Sequence, residues 1–180
     1  MKYSKARVAI LASGSGTNAE RLMIAAAEVE DVDVVVVVCN QKGAAVIDRA
    51  RRLGVHSWVI RAASLTSGEV ELRLKELKVN FIALAGFLLK VPDSFVAAFS
   101  GRILNLHPSL LPAFGGKGMY GHHVHRSVAS ALAAGKVDTT GITLHWVDVE
   151  YDTGPAFFQA EVRLEVGDDA EAIAGKIHKL

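Results

Sequence analysis

Short, β-branched apolar runs alternate with longer stretches of mixed character through the first half of the chain. Arg7 to Ala12 is one such run, and Val32 to Val38, broken only by Asp33, is another. Almost continuous apolar runs of this length suit strands covered on both faces. Between them, Asn18 to Glu30 is rich in Ala, Glu, Arg, Leu and Met, which favour helix. Ala44 to Leu53 predicts a second helix, ended by Gly54. Ser57 to Ile60 predicts a short strand, Ser67 to Lys78 a helix, and Phe81 to Ala85 a strand that ends at Gly86. Such alternation implies a parallel sheet with helices on both faces. Ligands of these sheets gather beyond the carboxyl ends of the strands, so the loops after Ala12, Ala85 and Leu106 are expected to border one crevice.

The second half reads differently. The short apolar run Ile103-Leu104 leads into Asn105-Leu106-His107-Pro108, and Ala113 to Gly121 is a glycine-rich loop. His122 to Ala134 predicts a helix closed by Gly135. Thr140 to Val147 and Ala156 to Val166 predict longer strands joined by the loop Asp148 to Pro155, an antiparallel extension of the sheet. Asp168 to Leu180 predicts a last helix, with Asp168 or Asp169 at its positive end. The expected fold is therefore α/β: a Rossmann-like open sheet, parallel in its N-terminal half and extended by antiparallel strands. With 180 residues and no repeat, linker or low-complexity tract, residues 1–180 are expected to form a single domain.

Composition narrows the partners. A net charge of +1 without a basic stripe argues against nucleic acid. The lone Cys39 excludes an internal disulfide and suits a reducing cytosol. The longest apolar stretch, Phe81 to Leu89, is about half a membrane span. A soluble, cytoplasmic protein with no membrane partner is expected.

Four places invite a chemical reading. Gly14-Ser15-Gly16-Thr17-Asn18-Ala19 matches the G-x-G-x-x-G/A phosphate fingerprint between a strand and a helix. The second strand ends Val38-Cys39-Asn40 with no carboxylate for a ribose hydroxyl, so a phosphate monoester fits better than a dinucleotide. Asn105 and His107 stand two apart and would share one strand face. An amide and an imidazole there could cradle a carbonyl oxygen as it gains charge, or could simply cap and pack a turn. His145 shares a strand face with Thr143 and Val147 and, by itself, reads as a structural histidine. Asp148, Glu150 and Asp152 crowd the next loop. One of them could lean on His107 and raise its pKa, or all could form a solvated turn. His122, His123 and His125 have no neighbouring carboxylate or cysteine to complete a metal site, so a polar helix start at the surface is expected and no metal.

Taken together, the glycine loop, Leu84-Ala85-Gly86-Phe87, the block Asn105-Leu106-His107-Pro108-Ser109-Leu110-Leu111-Pro112 and Tyr151-Asp152-Thr153-Gly154-Pro155 resemble the phosphoribosylglycinamide formyltransferases, folate-dependent enzymes of purine synthesis. The resemblance implies transfer of a formyl group from 10-formyltetrahydrofolate, the co-substrate, to the amine of glycinamide ribonucleotide, without a metal. It implies that Asn105 and protonated His107 stabilise the oxyanion, that Asp152 keeps His107 charged and helps move a proton, and that His145 supports them. Gly16, Thr17 and Asn18 would grip the substrate's 5′-phosphate, and Gly86 would meet the substrate through its backbone. The pterin would slot against Leu88, Leu89 and Val91 and the loop that includes Asp148 and Val149. Partners would be small molecules, and the protein a monomer or homodimer.

The chain departs from the family pattern in places. Gly68 falls near where many members carry a phosphate-holding arginine, and Leu89 where an arginine often follows Gly-Phe-Met, with Lys90 displaced by one. The loop Phe114 to Gly121 looks longer than in many relatives, and a C-terminal tail beyond Leu180, with a substrate-contacting glutamate, is expected to be missing. A formyltetrahydrofolate deformylase or a nucleotide-phosphate-binding module are the competing readings.

Overall fold

A computed structural model describes residues 5–180. Contacts divide the chain into two compact units, Met1–Leu104 and Asn105–Leu180.

The first unit holds β1 (Ala6–Ala12), α1 (Thr17–Ala27), β2 (Val32–Cys39), α2 (Ala45–Arg52), β3 (Ser57–Val59), α3 (Ala62–Thr66), α4 (Glu69–Glu76), β4 (Phe81–Leu84) and α5 (Asp93–Ala98). β1 pairs in parallel with both β2 and β4, and β2 with β3. Alternate side chains of β1 and β2, among them Ile10, Ala12, Val37 and Cys39, pack under Ala19, Met23, Val46 and Ala50 of α1 and α2. Ala9, Leu11, Val36 and Val38, which point the other way, are just as buried. The near-continuous apolar reading of both strands is thus explained in their carboxyl-terminal halves, where both faces are buried. The predicted helix over 67–78 proves shorter. Gly68 takes a left-handed conformation, so α4 starts after it and the preceding turn stands apart as α3. α3 and α5, of 5 and 6 residues, are too short to show a helical period in the sequence.

The second unit is built from β5 (Ile103–His107), whose start belongs to the first unit, α6 (His122–Ala133), β6 (Thr139–Trp146), β7 (Ala156–Arg163) and α7 (Ala170–Ile177). β6 and β7 are antiparallel, as expected. Hydrogen-bonded strand order is β3-β2-β1-β4-β5-β6-β7, an open α/β sheet of the predicted kind. Leu106, Ile142 and Ala160 face a core made with Val124 and Val128 of α6 and Ile173 and Ile177 of α7. Their odd-numbered neighbours on β5 and β6 therefore face the opposite way. β7 stops before Val166, where Asp168 accepts the Glu165 N–H at 2.8 Å and turns the chain. Of the two aspartates considered for the last helix, Asp169 is the cap, accepting the Glu171 and Ala172 N–H groups at 3.0 and 2.8 Å. Among the described residues no helix is long and apolar enough to cross a membrane.

Candidate functional site

In the first unit the glycine loop joins β1 to α1. Gly16 has φ +72°, and a Cβ there would lie 2.4 Å from the Val46 side chain and 2.8 Å from its backbone. Only glycine fits that position. Ser13, buried at the end of β1, ties the neighbouring loops together. Its hydroxyl donates to Asn40 Oδ1 at 2.5 Å and accepts the Leu88 N–H at 2.8 Å, while its N–H donates to the Gly86 carbonyl at 3.1 Å. Asn40, standing where a dinucleotide site would carry an acid, is thus committed to bracing. Gly16 is buried, whereas Thr17 is exposed and Asn18 half-buried. Leu88 is exposed, Leu89 half-buried and Val91 buried, so Val91 can offer a ligand less than the two leucines.

In the second unit four side chains converge. The Asn105 amide Nδ2 donates to His145 Nε2 at 3.0 Å. His145 Nδ1 lies 2.9 Å from the Trp146 carbonyl, which can only accept, so the proton sits on Nδ1 and Nε2 is left as the acceptor for Asn105. The β6–β7 register shifts between Leu144 and His145, leaving Phe157 of β7 unpaired opposite the histidine's strand. His107 Nε2 donates to the Phe114 carbonyl at 2.9 Å. Asp152 straddles both imidazoles: Oδ2 is 3.6 Å from His107 Nδ1, and Oδ1 is 3.6 Å from His145 Nε2. Oδ2 also accepts the Gly116 N–H at 2.9 Å. Asp152 has φ +56°, a left-handed conformation that aspartate tolerates.

Burial sets the electrostatics. It pulls the His107 imidazole below its ordinary pKa, and although Asp152 and the Phe114 carbonyl push upward, with His145 pulling down, burial prevails. The expected net rise through a carboxylate neighbour is overturned: Asp152 acts in the expected direction, but desolvation outweighs it. Asp152 itself lies below its ordinary range. Burial raises it, and the His145 contact, the Gly116 N–H and the positive charge that His107 takes on in acid together more than offset that. The pair therefore holds its charge on Asp152, with a largely neutral His107 at pH 7.

Of the three carboxylates in the 148–155 loop, only Asp152 reaches the histidines. Asp148 caps the following Val149 N–H at 2.7 Å, and Asp148, Val149 and Glu150 are exposed. His122 and His123 sit at the surface, as expected, but His125 does not; it is 6% exposed, with its Nδ1 lacking a hydrogen-bond partner. Among the described residues no His, Cys, Asp and Glu group could hold a metal. Several contributors carried little signal of their role in the sequence. Thr143 donates its hydroxyl to the Ser109 carbonyl at 2.7 Å and accepts the Leu111 N–H and Gln159 Nε2 at 3.0 and 2.9 Å. Ser109 in turn donates to the Ala113 carbonyl at 2.8 Å. The loop after His107 is thereby pinned to β6 and β7. Period-two spacing from His145 was the one hint toward Thr143.

The formyl transferase family profile matches residues 6–180. Phosphoribosylglycinamide formyltransferase of Bacillus subtilis is 36% identical over 97% of this chain and 88% of its own length. The chloroplastic Arabidopsis thaliana enzyme of that name is 37% identical over 97% of this chain, and the chain spans 62% of its length. A trifunctional purine biosynthetic protein of Drosophila pseudoobscura pseudoobscura is 39% identical over 99% of this chain, which spans 13% of that protein. Among solved structures, glycinamide ribonucleotide transformylase 1 from Geobacillus kaustophilus superposes with a TM-score of 0.86 at 35% identity, covering 97% of this chain and 92% of the other.

Proposed function

The chain belongs to the formyl transferase family, and from that premise we propose that it moves a formyl group from 10-formyltetrahydrofolate to the amine of glycinamide ribonucleotide. The observation that carries the reading is the meeting of Asn105, His107, His145 and Asp152 within hydrogen-bonding or ion-pairing range of one another. The substrate amine attacks the formyl carbon, a nitrogen–carbon bond forms, and the formyl oxygen gains negative charge. Asn105 donates one amide hydrogen to His145 and keeps the second for that oxygen. His107 Nε2–H now rests on the neutral Phe114 carbonyl, and an oxyanion is a stronger acceptor. Transient uptake of the amine's proton at His107 Nδ1 would pair the ring with Asp152, so charge support grows as the oxyanion forms. Asp152 takes part in moving the amine's proton toward the folate nitrogen, which leaves as its bond to carbon breaks. Gly16, Thr17 and Asn18 hold the 5′-phosphate, and Gly86, whose carbonyl accepts the Ser13 N–H, meets the substrate through its backbone. Leu88, Leu89 and Val91, with Asp148 and Val149, receive the pterin. No metal is needed, and both substrates are small molecules.

The test is an absorbance assay of formyl loss from 10-formyltetrahydrofolate, run with and without glycinamide ribonucleotide. Loss that depends on the amine is expected. Loss without it would make the protein a deformylase, and no loss in either case would leave only a binding module.

A further inference from the structure

A loop that turns its N–H groups toward an anion must turn its carbonyls elsewhere, since a carbonyl oxygen facing the phosphate repels it. Here the carbonyl side of the loop is held by α2. Gly14 C=O accepts the Val46 N–H at 3.3 Å, and Val46 lies in the first turn of α2, where N–H donors have no partner inside the helix. Ser15 C=O accepts Arg49 Nε–H at 2.8 Å. Gly16 C=O is taken by the Glu20 N–H at 2.8 Å as α1 begins. Arg49 does more than this single bond, because its Nη1 pairs with Glu20, which Arg52 also pairs with. Glu20 stands in the first turn of α1, where its negative charge would oppose a phosphate bound at that helix end. The Arg49 side chain is 27% exposed and that of Glu20 18%, so the clamp is partly shielded from water.

We propose that Arg49 is a positioning residue for phosphate recognition: without touching substrate, it holds the Ser15 carbonyl turned away and neutralises Glu20, so the loop presents only donors to a phosphate monoester. The inference rests on the reading of residues 14–18 as the phosphate grip. The guanidinium does both jobs at once because its donors lie in a fixed fork, which a lysine ammonium does not reproduce.

The experiment measures, in the full chain, kcat/KM for glycinamide ribonucleotide and for the same nucleoside without its phosphate, together with KM for 10-formyltetrahydrofolate. Arg49→Ala is expected to raise KM for the phosphorylated substrate by about tenfold, the size of one lost positioning hydrogen bond. The folate KM and the nucleoside's kcat/KM should stay within about twofold, since neither depends on that bond. Arg49→Lys should recover only part of the preference, and it keeps the test available if the alanine variant does not fold. A uniform loss on both substrates would reduce Arg49 to a general structural role and overturn the proposal, as would an unchanged preference. If the unmodified protein shows no preference for the phosphorylated substrate, the phosphate reading of the loop fails first, and the role of Arg49 falls with it.

Discussion

Asp152 and His107 illustrate how a pair of residues shares one proton and one charge. The carboxylate is ionised well into acid because an N–H and two imidazoles face it, whereas His107 loses its proton early because it is buried. Asp152→Asn removes the one charge that pushes the His107 pKa upward, so the His107 titration should move to still lower pH in an NMR experiment. Turnover should fall by roughly 10²- to 10⁴-fold with KM for either substrate near normal, because the lost support matters most in the transition state. Retention of near-full kcat in steady-state kinetics would remove Asp152 from the mechanism. At the same scale, Gly16→Ala puts a Cβ into Val46 at a left-handed position. A loss on the order of 1–3 kcal/mol is expected from backbone strain, with the contact adding to it, and urea denaturation would measure it.

Strands and loops depend on side chains that no local pattern reveals. Thr143 uses its hydroxyl as one donor and two acceptors, the full capacity of the group, to fasten the loop after His107. Thr143→Val keeps the shape of the side chain while stranding the Ser109 carbonyl and the Leu111 N–H. Stability should drop by roughly 1–3 kcal/mol in urea melts, with a parallel fall in kcat as the His107 loop loosens. A variant as stable as the parent would show that the loop is held by something else. The elements themselves were legible where they are long: β1, β2 and α6 follow from apolar runs and helix formers. α3 and α5 were not legible, being too short to show a period. The surface reading of the histidine cluster at the start of α6 held for His122 and His123 but failed for His125, because the same three-residue spacing that lets rings 122 and 125 approach to 6.4 Å does not say which of them the core will cover.

The whole chain should lose stability on acidification. His125 titrates at about 4 in the folded protein rather than at its ordinary 6.5, chiefly through burial, with His178, His122 and His107 adding like-charge opposition. The unfolded chain takes up that proton as pH falls through 6.5, but the folded chain resists until about 4. Stability is therefore complete above 6.5 and declines through that window, and the lowered His107 pKa acts in the same sense. Asp152, depressed below its ordinary 3.8, extends the loss to lower pH. Urea midpoints measured from pH 7.5 to 4 should fall, and His125→Leu should flatten the decline. A leucine variant whose profile parallels the parent would assign the acid sensitivity elsewhere.

What the sequence determined by itself is what neighbours along the chain can decide: the alternation that makes an open α/β sheet, the two-residue spacing that turns Asn105 and His107 to one face, and the glycine needed at position 16. The motifs also carried the family resemblance that singled out Asp152, although spacing alone left it level with Asp148 and Glu150. Tertiary structure alone decided that Asp152 reaches both histidines, that burial rather than charge governs His107, and that α2 holds the carbonyl side of the glycine loop. These outcomes turn on distance and desolvation between groups remote in sequence, and such quantities exist only once the chain has packed.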